Sequence, residues 1–479
     1  MKREKIYFLV LFFGCFTVAL AREVPITILH TCDLHGNVLP TESYEGRTNL
    51  GGIARCATMI QRIREQEKNV LLLDAGDTIQ GAAIGYLSAG QVMVKVLNHL
   101  RYDAWVWGNH EFDWGLEKLA ACADKAEVPI LNANVFGATS RVRTGEGHDG
   151  NLAQTAKRIL LRIKPYRLLE IDGVKIGIIG LNTPGIPNWS RPRLIEGLRF
   201  EDSVETLTQL VPALREAGAQ VLVLVCHQGF REQGDDHANQ INAIARNFPE
   251  LDVIIGGHTH RNFAEFKVSD VLYSQAGYFG IHLGRVDLVF DTEKRRVTRR
   301  KSATMLMDET VPLDSDLLKL VAGDIDNAEK VLRTTIGEAG QNFGLAGAPR
   351  KPTSIHTLIC ESIAEALSDR DEHVDAVLHG ILDRRATLLR GPITVADVWR
   401  ILPYENTIGV AELSPMEMSE ILDENAGAYE KREFRGIFGL QCVFDPTAKE
   451  GVRVLQLLQG DRSPLDQHDC LRVAFNSYD

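Results

Sequence analysis

The chain has 479 residues, 44% of them hydrophobic and 24% charged, which is enough apolar material for two domains with cores of their own. Its formal net charge of −11 excludes a general nucleic-acid binder, because such a protein needs a basic face to replace counterions. A small anionic substrate stays open, since bound cations supply positive charge locally.

Lys2, Arg3 and Lys5 precede an apolar run from Ile6 to Leu20, and Ala19-Leu20-Ala21 forms an A-x-A pattern. Residues 1–21 therefore read as a secretory signal peptide. The run is shorter than the ~20 residues of a membrane span, and no second run of that length follows. The expectation is a periplasmic or secreted protein with no stable membrane insertion after cleavage. Of eight cysteines, the seven beyond the signal are scattered without a C-x-x-C pair, so they read as small buried side chains rather than a disulfide framework.

Five apolar, β-branched runs then end alike. "ITILHT" leads into Asp33 and His35, and after the helix-like "GIARCATMIQRIREQEK", "VLLLDAG" leads into Asp77. "AWVW" leads into "GNHEFDWG", with Asn109, His110, Glu111 and Asp113. "YRLLEIDGVKIGIIGLNTP" reads as two strands turned at Asp172-Gly173. Past the helical "VETLTQLVPALREAG", "VLVLV" leads into Cys226-His227 and "LDVIIGG" into His258 and His260. Strands alternating with helices predict an α/β domain, in which ligands collect at the carboxyl ends of strands.

The charged "DTEKRRVTRRK" closes this region near residue 301, "DSDLLKLVAGDIDNAEKVLRTTI" reads as an exposed linker helix, and "FGLAGAPRKPTS" as a Gly/Pro-rich break. The expected organisation is a catalytic domain at 24–305, a linker helix within 306–344 and a second domain at 345–479.

Asp33, His35, Asp77, Asn109, His227, His258 and His260 are seven donors of mixed nitrogen and oxygen type, too many for one tetrahedral site. The x-spaced pairs are expected to face one way through the period-2 alternation of strand side chains. The set suits two divalent ions sharing a carboxylate, with Zn, Mn, Fe and Co all compatible. Two ions ~3.5–4 Å apart form a clamp for in-line attack at phosphorus. A buried turn as polar as residues 107–115 is costly unless its groups are paired or bound.

The blocks "CDLHG", "DAGD", "GNHEFD", "CHQG" and "GGHTH" resemble, in order, the five motifs of the calcineurin-like metallophosphoesterases. The GNHEFD form and the second domain resemble the 5′-nucleotidase family, which also holds UDP-sugar hydrolases and 2′,3′-cyclic-nucleotide 2′-phosphodiesterases. The resemblance implies a four-layer α/β sandwich of two mixed β-sheets flanked by helices, plus a smaller α/β C-terminal substrate-binding domain. It assigns Asp33, His35, Asp77 and His260 to one metal, and makes Asp77 the bridge to a second held by Asn109, His227 and His258. Cys32 stands where the family often has Asn or Thr and is read as a non-ligand. His110 resembles the family's catalytic histidine, oriented by Asp113, while Glu111 and Trp114 are read as structural. The implied activity is hydrolysis of a nucleotide or other phosphate ester by a metal-activated water.

The family stacks its base between two aromatic rings, and "LPYENT" and "NSYD" place Tyr404 and Tyr478 there. Arg385, in "HGILDRR", matches the arginine of the family's N-G-G-G-I-R block, but that block's glycines are absent. The sequence stops at Asp479, short of the family's glycine-rich G-G-D-G segment, so either the C-terminus is a fragment or that substrate contact is missing. Two alternatives remain beside nucleotide hydrolysis. One is a thiosulfohydrolase-like enzyme on the same scaffold; the other is a non-catalytic nucleotide-binding protein.

Overall fold

The computed structural model describes residues 22–138, 149–344, 354–380, 387–402, 407–429, 434–466 and 468–476. The expected signal at 1–21, and Arg385, Tyr404 and Tyr478, lie outside the described residues.

Five strands carry the site: β1 (Glu23–Thr31), β2 (Val70–Asp74), β3 (Ala104–Trp105), β4 (Val221–Cys226) and β5 (Val253–Ile255). The first three run parallel at the centre of a seven-stranded sheet, in the order 296–306, 282–291, β1, β2, β3, 130–131, 163–164. β4 and β5 are parallel neighbours in a six-stranded sheet, in the order 262–268, 271–276, β5, β4, 174–181, 166–171. Both sheets also contain antiparallel pairs, and the strands at 166–171 and 174–181 turn at Asp172 (φ 51°) and Gly173 (φ 84°).

Side-chain alternation explains why the sheets stack. Val24, Ile26 and Ile28 of β1 meet Val221, Val223 and Val225 of β4 in a core between the sheets. The alternate residues Leu222, Leu224 and Cys226 turn outward, into a core shared with helix Ser203–Glu216 and helix Ile241–Asn247. On the other side, Leu29 and Leu72 pack against helices Ile53–Gln66, Gln91–Leu100 and Leu116–Lys125. The result is helix, sheet, sheet, helix. Strands buried on both faces need near-continuous apolar runs, and each fully buried Leu or Val contributes about 1.5–3 kcal/mol.

The stretch expected to form one exposed linker helix is two helices, Ser315–Leu320 and Ala322–Leu332, the first capped by the Asp314 carboxylate. Leu317 and Val321, four residues apart, are fully buried in the core against helix Ile53–Gln66 and its neighbours. That inner face makes these helices part of the first domain's packing. Beyond them, strand Thr335–Ala339 pairs with Gly391–Thr394. The C-terminal region builds a four-stranded mixed sheet in the order 408–413, 471–476, 376–379, 436–438, with helices Ser354–Ser368 and Pro415–Gly427. The described residues contain no helix long and apolar enough to cross a membrane.

Candidate metal centre

Because β1, β2 and β3 are parallel, as are β4 and β5, the loops leaving their carboxyl ends open on one edge of the sandwich. Three donor groups form there: Asp33, His35 and His260; His35, Asp77 and His110; and Asp77, His227 and His258, each with ligand atoms within 4.8 Å of one another. Asp77 Oδ2 lies 3.0 Å from His227 Nε2, 3.8 Å from His35 Nε2 and 4.0 Å from His110 Nε2. Asp33 Oδ1 lies 3.4 Å from His260 Nε2. Asp33, His35, Asp77, His110, His227, His258 and His260 come together in these groups, and Asn109 precedes His110 in the chain without belonging to any of the three. Asp33, His35, Asp77 and Asn109 follow strands of one sheet; His227, His258 and His260 follow strands of the other.

The means of convergence differs from the expectation. Asp33 and His35 lie beyond the end of β1, and His258 and His260 beyond β5, so strand alternation does not orient them. Asp33, His35, Asp77, His258 and His260 all have left-handed backbone, with φ between 46° and 71°. Non-glycine residues rarely adopt this conformation, which costs of order 1–3 kcal/mol and gathers at functional sites. Each such residue lies in the loop that follows its strand, where this backbone conformation rather than strand alternation sets the direction of the side chain.

The donor set fits divalent cations. The buried Asn109 Oδ1 has no hydrogen-bond partner, although buried polar atoms are nearly always satisfied, and the buried His227 Nε2 lies 3.0 Å from Asp77 Oδ2. His35 Nδ1 faces the Gln80 carbonyl at 2.9 Å and His227 Nδ1 the Ala75 carbonyl at 2.8 Å. A carbonyl only accepts, so both Nδ1 atoms carry the proton and both Nε2 lone pairs point into the cluster. Burial holds His35 and His258 at about 3, as neutral imidazoles. Burial also opposes charge on His227, but the neighbouring Asp77 outweighs it and raises His227 to about 9; a cation between the two would take the proton's place. Burial would raise Asp77 as well, yet the imidazoles of His227 and His110 keep it well below the usual carboxylate range.

His110 occupies a single turn of 3-10 helix, and its Nδ1 meets Asp113 Oδ2 at 2.6 Å. Its backbone N–H donates to Asp77 Oδ1 at 2.9 Å. Glu111 points away from the donors and accepts main-chain N–H groups of Asp77, Thr78, Ile79 and Gly108. The Cys32 thiol donates to the Gly277 carbonyl at 3.2 Å, and burial raises it well above its ordinary range. The seven cysteines among the described residues are all free thiols.

Sequence reasoning missed three neighbours of the cluster. Trp189 lies over the His258 ring, with centroids 5.2 Å apart. Gly108 leaves no room for a side chain, since a Cβ there would sit 2.2 Å from Asp77 Oδ1. The Tyr44 hydroxyl meets His260 Nδ1 at 2.8 Å. Only Gly108 carried a signal, as the glycine before Asn109 in the motif.

Comparison with known proteins agrees with this geometry. Residues 26–262 match the calcineurin-like phosphoesterase family, and residues 330–479 match the 5′-nucleotidase C-terminal domain. A snake venom 5′-nucleotidase from Crotalus adamanteus is 28% identical over 480 residues, covering 91% of this chain and 76% of the relative. A 2′,3′-cyclic-nucleotide 2′-phosphodiesterase/3′-nucleotidase from Salmonella typhimurium is 30% identical over 366 residues, 67% of this chain and 53% of that protein. The crystal structure of a 5′-nucleotidase precursor from Thermus thermophilus superimposes with a TM-score of 0.72 at 26% identity, over 95% of this chain and 90% of that one. With the four-layer sandwich, the ordered motifs and both domain matches in agreement, the chain belongs to the 5′-nucleotidase family of calcineurin-like phosphoesterases, enzymes that hydrolyse phosphate esters.

Proposed function

We propose that this protein is an exported, two-metal phosphohydrolase acting on nucleotides. The observation that carries the reading is the buried Asp77 carboxylate shared by two donor groups, one with His35 and His110 and one with His227 and His258, together with a buried Asn109 Oδ1 that has no hydrogen-bond partner. One ion is assigned to Asp33, His35, Asp77 and His260, and the other to Asp77, Asn109, His227 and His258. Bound there, divalent ions supply Lewis acidity toward phosphoryl oxygens and a nucleophile competent at neutral pH.

The chain's own residues do the rest. Asp113 holds the proton on His110 Nδ1, which directs His110 Nε2 toward Asp77 and the donor cluster. From that position His110 Nε2 stabilises charge on an equatorial oxygen or passes a proton to the leaving group. His110 is 8% exposed, so this interaction is made away from bulk water, where it is stronger. Substrate choice is assigned to Arg385, Tyr404 and Tyr478, with the two rings stacking a base at about 1–3 kcal/mol each. Export rests on the charged, apolar and A-x-A order of residues 1–21.

The test is turnover by purified protein loaded with Mn(II) or Co(II), on a panel of nucleoside monophosphates, cyclic nucleotides and simple phosphate esters. Phosphate release from nucleotides is expected, and a fully metallated protein that cleaves none of the panel overturns the reading. Tyr404→Ala should weaken nucleotide turnover and spare a small ester that has no base.

A further inference from the structure

Among the candidate donors, the histidines differ in what holds the ring nitrogen that faces away from the cluster. His35 and His227 each set Nδ1 against a main-chain carbonyl, of Gln80 and of Ala75. Their orientation is built into the loops that follow β2. His260 sets its Nδ1 instead against the hydroxyl of Tyr44, 216 residues earlier in the chain, at 2.8 Å. On the other edge of that ring, His260 Nε2 lies 3.0 Å from His35 Nε2 and 3.4 Å from Asp33 Oδ1.

Tyr44 is itself clamped. Its ring lies within 8° of parallel to His260 at 5.8 Å, and stacks on Tyr278 at 4.3 Å. The Tyr278 hydroxyl accepts the Tyr44 backbone N–H at 3.0 Å and donates to Glu45 Oε2 at 3.3 Å. The segment that carries Tyr44 is closed at its base by the Thr41–Leu50 bridge. It is a surface loop, and Tyr44 is 39% exposed. The His260 side chain is 22% exposed and lines a cavity of about 450 Å³ together with Arg47, Arg261, Tyr278 and His282. Asp33, His35, Asp77 and His227 are all within 1% of fully buried.

We propose that Tyr44 is a positioning residue for the metal centre, acting through His260; the proposal rests on the two-ion reading above. With its hydroxyl as acceptor, Tyr44 keeps the His260 proton on Nδ1, so the Nε2 lone pair faces Asp33 and His35. The ion held by Asp33, His35, Asp77 and His260 then depends on a surface loop for one of its four donors. The ion assigned to Asp77, Asn109, His227 and His258 does not use His260. The two ions should therefore differ in retention, and Tyr44 should set the difference. Removing an outer hydrogen-bond partner of a metal-ligating histidine typically lowers metal affinity by about 10–100-fold.

The experiment loads the full chain with Mn(II), dialyses it against graded EDTA and counts bound metal per chain by mass spectrometry, for wild type, Tyr44→Phe, His260→Ala and the double variant. Phenylalanine keeps the stacked ring and removes only the hydroxyl. Tyr44→Phe is expected to release one of two ions at EDTA concentrations about 10–100-fold lower than wild type, with retention of the other unchanged. In the His260→Ala background the same change should add nothing. Equal retention in wild type and Tyr44→Phe overturns the proposal. So does loss of both ions together, or a further loss in the His260→Ala background, because either would mean that the hydroxyl acts on something other than His260. A wild-type chain that binds no Mn(II) overturns the metal centre itself, and the proposal with it.

Discussion

The Glu111 carboxylate accepts the backbone N–H of Asp77 at 2.9 Å and that of Gly108 at 2.6 Å, tying the loop after β2 to the loop after β3. The same carboxylate also accepts from Thr78 and Ile79. Four main-chain donors converge on one side chain that is 1% exposed. Glutamine in its place would turn an amide N–H₂ toward N–H groups and leave buried donors unsatisfied, at about 1–3 kcal/mol for each lost partner. Glu111→Gln should therefore lower the urea midpoint and reduce bound metal together. A variant with wild-type midpoint and full metal content would show that Glu111 does not hold the loops.

His110 and Asp77 should separate chemistry from metal binding. His110→Ala is expected to keep metal content near normal and to lower turnover by ~10²–10⁴, the range for acid–base or charge-stabilising groups. Asp77→Ala should lose or scramble both ions, because Asp77 lies in two of the three donor groups. The same mass-spectrometric metal count decides it. If His110→Ala loses metal as severely as Asp77→Ala, the histidine is a ligand.

Gly108 gives a steric test of the same centre. A methyl group at this position would meet Asp77 Oδ1 at 2.2 Å and His227 Nε2 at 2.7 Å, and neither residue has room to retreat. Gly108→Ala should fold with reduced stability and bind less metal than wild type. Full metal occupancy in this variant would mean that the loop adjusts freely.

A pH prediction comes from His30, away from the donor cluster. It is fully buried, its Nε2 meets Ser274 Oγ at 3.0 Å, and burial lowers it to about 3. An unfolded histidine titrates near 6.5. Below about pH 6.5 the unfolded chain binds a proton that the folded chain refuses. The stability from a neutral His30 is thus complete above about 6.5 and falls by roughly 1.4 kcal/mol per unit as pH drops toward 3. Urea unfolding at pH 7 and pH 5 should show a smaller loss in His30→Gln than in wild type, by about 2 kcal/mol. Equal losses in the two proteins would assign the acid sensitivity to other groups.

The site was legible wherever chemistry followed directly on a buried run. Asp33, Asp77, His227 and His258 each lie just past a strand with a clear apolar pattern, so their meeting at one edge of the two-sheet sandwich follows from strand direction. What turned them inward was not legible. Left-handed backbone at Asp33 or His260 is imposed by the packing of neighbouring loops, and neither residue type favours it as glycine does. Tyr44 was invisible for a different reason: its partner is 216 residues distant, and no local pattern marks the contact. The linker helices were misjudged because Leu317 and Val321 make a narrow apolar stripe among charged neighbours, and only the tertiary contact decides whether such a stripe is covered.

The donor residues come from loops of both sheets, with Asp33 and His260 227 residues apart in the chain. On the proposed assignment, an ion shared between them would act as a cross-link, closing a loop of more than two hundred residues at the open edge of the sandwich. Loop closure of that length removes more freedom from the unfolded chain than a short one does, though the gain grows only as the logarithm of length. Ligand binding to the native state alone adds RT ln(1 + [L]/Kd), about 4.1 kcal/mol at a thousandfold excess over Kd. If the proposed ions bridge the two sheets, heat resistance would be coupled to the supply of divalent metal: a chain stripped of them would lose the fastening between its two halves along with its chemistry.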